Sequence, residues 1–243
     1  MGRRFVPKGA MPFIRMTTTE FTQIPYEDML KAGMHFGRRK TVFHPAMGQY
    51  VFTVRDGICI IDLLKTQEQL EKAVTVLKEV IASGGLILFV APTKQSHESV
   101  KALAEKLGMP YVVDRWLGGT LSNFKIINAR VRKLESMEQE QATGVWEKYT
   151  KKERLMLERE LTKMRKNFDG LKRLTRIPDI VFVASIKDGA LPVSESKKMG
   201  VKTIAIANTY ADPKLVNFAI PGNDRSKMAV DLIIQSLSNE LTR

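Results

Sequence analysis

The run Leu86–Val90, read "LILFV", constrains the fold more than any other stretch of this chain. Successive side chains of a strand point to opposite faces, so five apolar residues in a row leave neither face for water. Such a strand belongs inside a parallel sheet covered by helices on both sides. The flanking sequence alternates in the same way. A helix is expected near Ser96–Leu107, stopped by Gly108, and then a short strand at "YVV". After residue 177 follow the strand "DIVFVA", a short helix in "PVSESKKMG", the strand "VKTIAIA" and a last short strand in "FAIPGN". Asp224–Leu241 reads as a helix with Ala229, Leu232, Ile233, Leu237 and Leu241 on one face. Upstream, "YVFTVRDGICIIDL" reads as one or two strands around a tight Asp56-Gly57 turn. Thr66-Gln67-Glu68-Gln69 has capping-box spacing and predicts a helix to about Ser83, stopped by Gly84-Gly85. The fold class expected is α/β, a flavodoxin-like doubly wound parallel sheet.

Residues 127–176 depart from this alternation. Ile127, Val131 and Leu134 recur at helical spacing, and so do Leu157, Leu161, Met164, Phe168 and Leu171. "TGVWEKYT" interrupts them, and Thr150-Lys151-Lys152-Glu153 forms a second capping box. Two such segments joined by a turn predict an inserted antiparallel helical hairpin of coiled-coil type. The domain organisation expected is a basic N-terminal extension over 1–23, an α/β body over 24–126 and 177–243, and the hairpin over 127–176.

The net charge of +13 directs the search for partners toward polyanions, nucleic acid first and anionic membrane second. The excess is not spread evenly. Residues 1–40 and 127–176 carry most of it, and the rest is near neutral. Arg3, Arg4, Lys8 and Arg15 form a short basic arm in which Pro7, Gly9 and Pro12 prevent a regular helix. Such an arm can order by lying on phosphates. A membrane-surface scaffold would need an apolar stripe beside the charge, and the arm offers only Phe5, Val6, Phe13 and Ile14. No apolar run approaches the roughly 20 residues of a membrane-spanning helix. Without an apolar run in the first residues, a secretory leader is not expected. One cysteine, Cys59, sits in the apolar run "GICIIDL" and is expected to be a buried, inert thiol. A cytoplasmic location fits.

Sites for chemistry are scarce. There is no G-x-x-x-x-G-K-[ST] loop, no G-x-G-x-x-G turn and no G-x-S-x-G elbow. His35, His44 and His97 have no metal-binding spacing. Asp62, Asp114 and Asp188 stand near strand ends. They could hold Mg²⁺ for phosphoryl chemistry, or they could simply end strands and cap helices. No catalytic residue, metal or cofactor is expected. The alternative reading keeps a nucleotide- or phosphosugar-dependent enzyme on a flavodoxin-like sheet.

One stretch carries polar groups that neither a core nor a catalytic loop needs: "VDRWLGGTLSNF", Val113–Phe124. The Gly pair allows a sharp turn close to another surface. Arg115 can fork to phosphate. Trp116 can stack on a base or anchor the turn in the body. Asn123 can cap the next helix or bond RNA. The stretch resembles the R-W-L-G-G-x-L-[ST]-N segment of the small-subunit ribosomal protein S2 family. Other pieces agree in the same order: "MLKAGMHFG", "IIDLLKT", Thr93-Lys94, "IPDIVFV", Asp212-Pro213 and "IPGND". The resemblance covers residues 26 to about 241, and the long hairpin resembles the bacterial form.

That resemblance implies a non-enzymatic protein of the cytoplasmic ribosome. It implies binding to 16S ribosomal RNA on the solvent side of the small subunit, between head and body. It also implies contacts with neighbouring small-subunit proteins, including the large mRNA-binding ribosomal protein, and no small-molecule substrate. The residues expected on RNA are Arg3, Arg4, Lys8, Arg15, Arg38, Arg39, Lys40, Lys94, Arg115, Trp116, Asn123, Lys125 and Arg225. The chain departs from the family in five places along its body, one being Pro92-Thr93-Lys94 where G-T-K is usual. Arg38-Arg39-Lys40 stands where a second His is common, and Ala184-Ser185 where an acid is usual. "NTYADP" replaces D-T-N-x-D-P, and Arg225 replaces an Asp.

Overall fold

The computed structural model describes residues 21–242. Its N-terminal part holds a short helix, α1 (Tyr26–Lys31), and three strands, β1 (Phe36–Arg39), β2 (Val51–Arg55) and β3 (Ile58–Ile61). These strands form a small antiparallel sheet in the order β1-β3-β2. The strand at β1 had no signal in the sequence. Asp56 (φ 50°) and Gly57 (φ 74°) both take the left-handed region. A two-residue hairpin turn that matches strand twist demands this.

Helix α2 (Leu63–Ala82) begins before the expected capping box. Asp62 caps it instead, its Oδ1 accepting the Leu64 N–H at 3.0 Å. Thr66 and Gln67 are therefore buried inside the helix. A carboxylate at the end of β3 reaches the free N–H groups first, so the later box has no helix end to cap.

The body then runs β4 (Ile87–Val90), α3 (Lys94–Leu107), β5 (Tyr111–Val112), α4 (Phe124–Ala142), α5 (Lys151–Phe168) and β6 (Ile180–Val183). It continues through α6 (Ala190–Met199), β7 (Lys202–Ala207), β8 (Phe218–Pro221) and α7 (Lys227–Leu241). The five strands are parallel, in the order β5-β4-β6-β7-β8. Numbered from β4 this is 2-1-3-4-5, the flavodoxin order.

Strand periodicity sorts the core into two layers. Ile87, Phe89, Ile180, Phe182, Ile204 and Ile206 join the buried side chains of α2, α3 and α7. Leu88, Val90, Val181, Val183, Ala205 and Ala207 face the other way, toward α4, α5 and α6. Phe89 and Phe182 are paired in register, with ring centres 5.7 Å apart. Each such side chain stabilises the fold by roughly 1.5–3 kcal/mol through its burial.

Helices α4 and α5 stand where the periodicity placed them. Thr150 and Glu153 cap each other's backbone at the start of α5. Ile127, Val131, Leu134 and Met137 of α4 are buried, as are Leu161, Met164 and Phe168 of α5. Lys133 pairs with Glu160 at 2.6 Å and Arg165 with Glu138 at 2.8 Å across the two helices. Their apolar side chains belong to the same cluster as Leu88, Val90 and Val112. The pair thus shares the core of the sheet, and its apolar face is completed by the body.

Candidate nucleic-acid interface

In a parallel sheet every strand ends at the same edge, so loops far apart in sequence become neighbours. Lys94 follows β4, Arg115 follows β5, Asp188 follows β6, Tyr210 follows β7 and Arg225 follows β8. Strand β1 reaches this edge as well. The Arg38 N–H donates to Thr209 Oγ1 at 2.8 Å, and the Arg38 guanidinium lies 5.5 Å from the centre of the Tyr210 ring. Gly37 makes that approach possible. A Cβ there would stand 2.5 Å from Thr209 Cγ2 and 2.7 Å from the Cys59 carbonyl oxygen.

The Val113–Phe124 stretch is organised by a residue that the sequence did not single out. Glu195 of α6 is buried, 8 % exposed. One of its oxygens accepts the Gly119 N–H at 2.8 Å and the Trp116 Nε1–H at 3.1 Å. The other accepts the Leu121 N–H at 3.1 Å and the Ser122 N–H at 3.3 Å. Burial pushes the Glu195 carboxyl up, but the hydrogen bonds from Gly119, Leu121, Trp116 and Ser122 outweigh it and hold it below the usual range. Gly119 takes φ 93°, which lets its N–H point inward. Trp116 is thereby an anchor, with its ring packed on the second core layer. Asn123 is exposed, and its side chain does not cap α4. Arg115 projects outward.

A second polar knot lies under β7 and β8. Asp224 is 1 % exposed and accepts hydrogen bonds from Ser185 Oγ (2.8 Å), Asn208 Nδ2 (2.9 Å) and the Tyr210 hydroxyl (2.6 Å). Burial, then the bond to Asp224 and its charge, push the Tyr210 hydroxyl up to about 12. Arg225 reaches Asp188 at 3.1 Å. These contacts account for two of the departures from the family pattern. A carboxylate at 185 would face Asp224, whereas a hydroxyl donates to it. A cation at 225 neutralises Asp188.

The remaining sequence-predicted residues fall into two groups. Arg38 and Arg39 line an open cavity of about 500 Å³ with Thr41 and Val42. Lys40 bonds the backbone of the β2–β3 turn through its N–H to the Gly57 oxygen. Lys94, Lys125 and Arg115 are exposed. Among the described residues, Arg38, Arg39, Lys40, Lys94, Arg115 and Lys125 have no ion pair, whereas Arg225 has one. Arg3, Arg4, Lys8 and Arg15 lie outside the described residues. The three acids take structural posts: Asp62 caps α2, Asp188 binds Arg225, and Asp114 stands 3.9 Å from Lys166. Among the described residues no group of His, Cys, Asp and Glu could hold a metal ion. Cys59 is buried, and burial pushes its thiol up. No helix among the described residues is long and apolar enough to cross a membrane. Glu195, Tyr210 and Asp224 escaped the sequence reading because their partners are brought together only by the fold.

Comparison with known proteins follows the same residues. A family described as Ribosomal protein S2 matches residues 29–242. The small ribosomal subunit protein uS2 of Thermus thermophilus is 41% identical over 222 residues, 88% of this chain and 87% of the relative. Those of Cytophaga hutchinsonii (40% identical; 88% of this chain, 85% of the relative) and Fusobacterium nucleatum (37% identical; 90% and 89%) are similar over the same extent. Near-complete coverage at this identity, over a body that holds the R-W-L-G-G turn on a buried glutamate, settles the family. The chain belongs to the Ribosomal protein S2 family.

Proposed function

We propose that this chain binds 16S ribosomal RNA along the carboxyl edge of its parallel sheet and the adjoining face of β1, at the junction of head and body on the solvent side of the small subunit. Family membership carries the coarser part: the chain is a small-subunit ribosomal protein, a structural constituent of the ribosome and not an enzyme. The enzyme alternative ends there. One observation supports the RNA surface. Among the described residues, Arg38, Arg39, Lys40, Lys94, Arg115 and Lys125 are cations without an internal acid, and the three segments that carry them, at or after β1, β4 and β5, lie along one sheet edge. A chain of net charge +13 that leaves these cations unpaired is suited to phosphate. Arg225, already paired with Asp188, acts through the shape of the edge and less through free charge.

The outer faces of α4 and α5 carry the second concentration of positive charge. In this reading they meet neighbouring small-subunit proteins and further RNA, and the assembled surface supports the large mRNA-binding ribosomal protein. The basic arm with Arg3, Arg4, Lys8 and Arg15 adds phosphate contacts. The test is affinity for 16S ribosomal RNA against an unrelated RNA of equal length, measured from low to physiological salt. Preferential, steeply salt-dependent binding supports the reading, and equal affinity for both RNAs overturns it.

A further inference from the structure

The strand order β5-β4-β6 places a topological switch point at the carboxyl end of β4, where open parallel sheets leave a crevice. A crevice of about 240 Å³ opens there, between the loops that follow β4, β5 and β6. Its floor is apolar, formed by Val90, Val113, Leu191 and Pro192, and the Asp188 carboxylate, paired with Arg225, stands on one wall. Leu191 stands at the lip with 62 % of its surface in water. Asp114 and Arg115 line the mouth. The volume is below the roughly 300–1,000 Å³ of sites that enclose drug-sized ligands. Apolar side chains beside two carboxylates, Asp114 and Asp188, also disfavour phosphate inside it. One flat ring system remains.

Resting on the reading that this edge faces RNA, we propose that the crevice receives a single unpaired RNA base, a guanine. Single-stranded RNA is recognised by bases splayed out onto side chains and bonded along their edges. The polar groups choose the base. The Asp114 carboxylate has one ion-pair partner, Lys166, at a long 3.9 Å, so its oxygens can accept further donors. A carboxylate accepts two parallel N–H donors, and the Watson–Crick edge of guanine presents N1–H beside N2–H. Adenine and cytosine set one donor beside a lone pair, and uracil sets its one N–H between two carbonyls. Arg115 has no acid partner among the described residues and stands at the mouth, where the nucleotide's phosphate must lie. Glu195 holds the adjacent Trp116 indole, so the wall beside the base is fixed before binding. Covering Leu191 and the apolar floor supplies the driving force.

The experiment uses the full chain and fluorescently labelled eight-nucleotide single strands, read by anisotropy. One strand carries a single guanosine among uridines. The others carry adenosine or an abasic site at that position. The guanosine strand should bind about tenfold more tightly than the abasic one, and Asp114→Asn should erase its advantage over adenosine. Leu191→Ser, a change at an exposed lip that adds no charge, should bring the guanosine and adenosine strands to the abasic level. Equal affinity for guanosine and abasic strands, in protein that still prefers 16S ribosomal RNA, would overturn the crevice and leave the RNA-binding reading intact. Equal tightening by adenosine would overturn the assignment to guanine. Loss of the 16S preference itself would overturn both.

Discussion

The Glu195 carboxylate accepts the Gly119 N–H at 2.8 Å across 76 residues of sequence. Three further N–H groups, from Trp116, Leu121 and Ser122, converge on the same carboxylate. The turn is therefore held by a charge on another helix. Glu195→Ala would orphan these donors together. An unsatisfied buried donor costs about 1–3 kcal/mol, and water can reach part of the turn, so a loss of about 2–4 kcal/mol is expected. Urea unfolding measures it. A loss below about 1 kcal/mol would show that the turn stands without its glutamate.

The same bonds set a pH dependence. The folded Glu195 carboxyl lies below its ordinary range, which is about 4.3 in an unfolded chain. The stability it contributes is therefore present above that value and is lost as pH falls through the folded one. Glu240, buried and paired with Lys78 at 2.7 Å, is lowered by that pairing against its own burial and works in the same direction. Glu195→Gln should be less stable than the parent at pH 7, and the gap should shrink toward pH 3. A constant gap across that range would remove the carboxylate from the account.

Gly37 tests how β1 reaches the sheet edge. With Thr209 Cγ2 and the Cys59 oxygen at 2.5 and 2.7 Å from any Cβ, Gly37→Ala must move backbone. Overpacking of this kind costs about 1–3 kcal/mol. Because Arg38 is held by Thr209, the substitution should also weaken RNA binding. Stability and affinity that both match the parent would mean the strand can shift freely.

Salt dependence separates the cations. Each phosphate contact on duplex RNA should contribute roughly 0.9 to the slope of log affinity against log salt, a value established for DNA duplexes, and less on single strands. Changing Arg38, Arg39 and Lys40 to Gln should flatten the slope by about two to three units. Melting should hardly move, since unpaired exposed charges contribute little to folding. Arg225→Gln should do the reverse, lowering stability by leaving Asp188 unpaired while changing the slope little. If both variants changed the slope alike, Arg225 would be a phosphate contact too.

The layered architecture was legible in the order of residues. "LILFV", "IVFV" and "IAIA" left no face for water, so a parallel sheet between two helical layers was the available solution. That order also placed α4, α5 and the Asp56-Gly57 turn, because those rest on local periodicity and on backbone conformations that few residues tolerate. How the edge is built depends on contacts between distant segments. The apolar face of α4 and α5 reads as a private seam, yet Leu88, Val90 and Val112 complete it. Trp116 reads equally as stacking platform or anchor, and only the distant Glu195 makes it an anchor. Asn123 reads as a cap or an RNA contact, and in the fold its side chain makes no capping bond. Arg225 reads as a free cation, and Asp188 takes it. Local signals report what a segment can do with its own backbone. Which donor meets which acceptor across 76 residues depends on strand order, and strand order is fixed by the packing of the whole core.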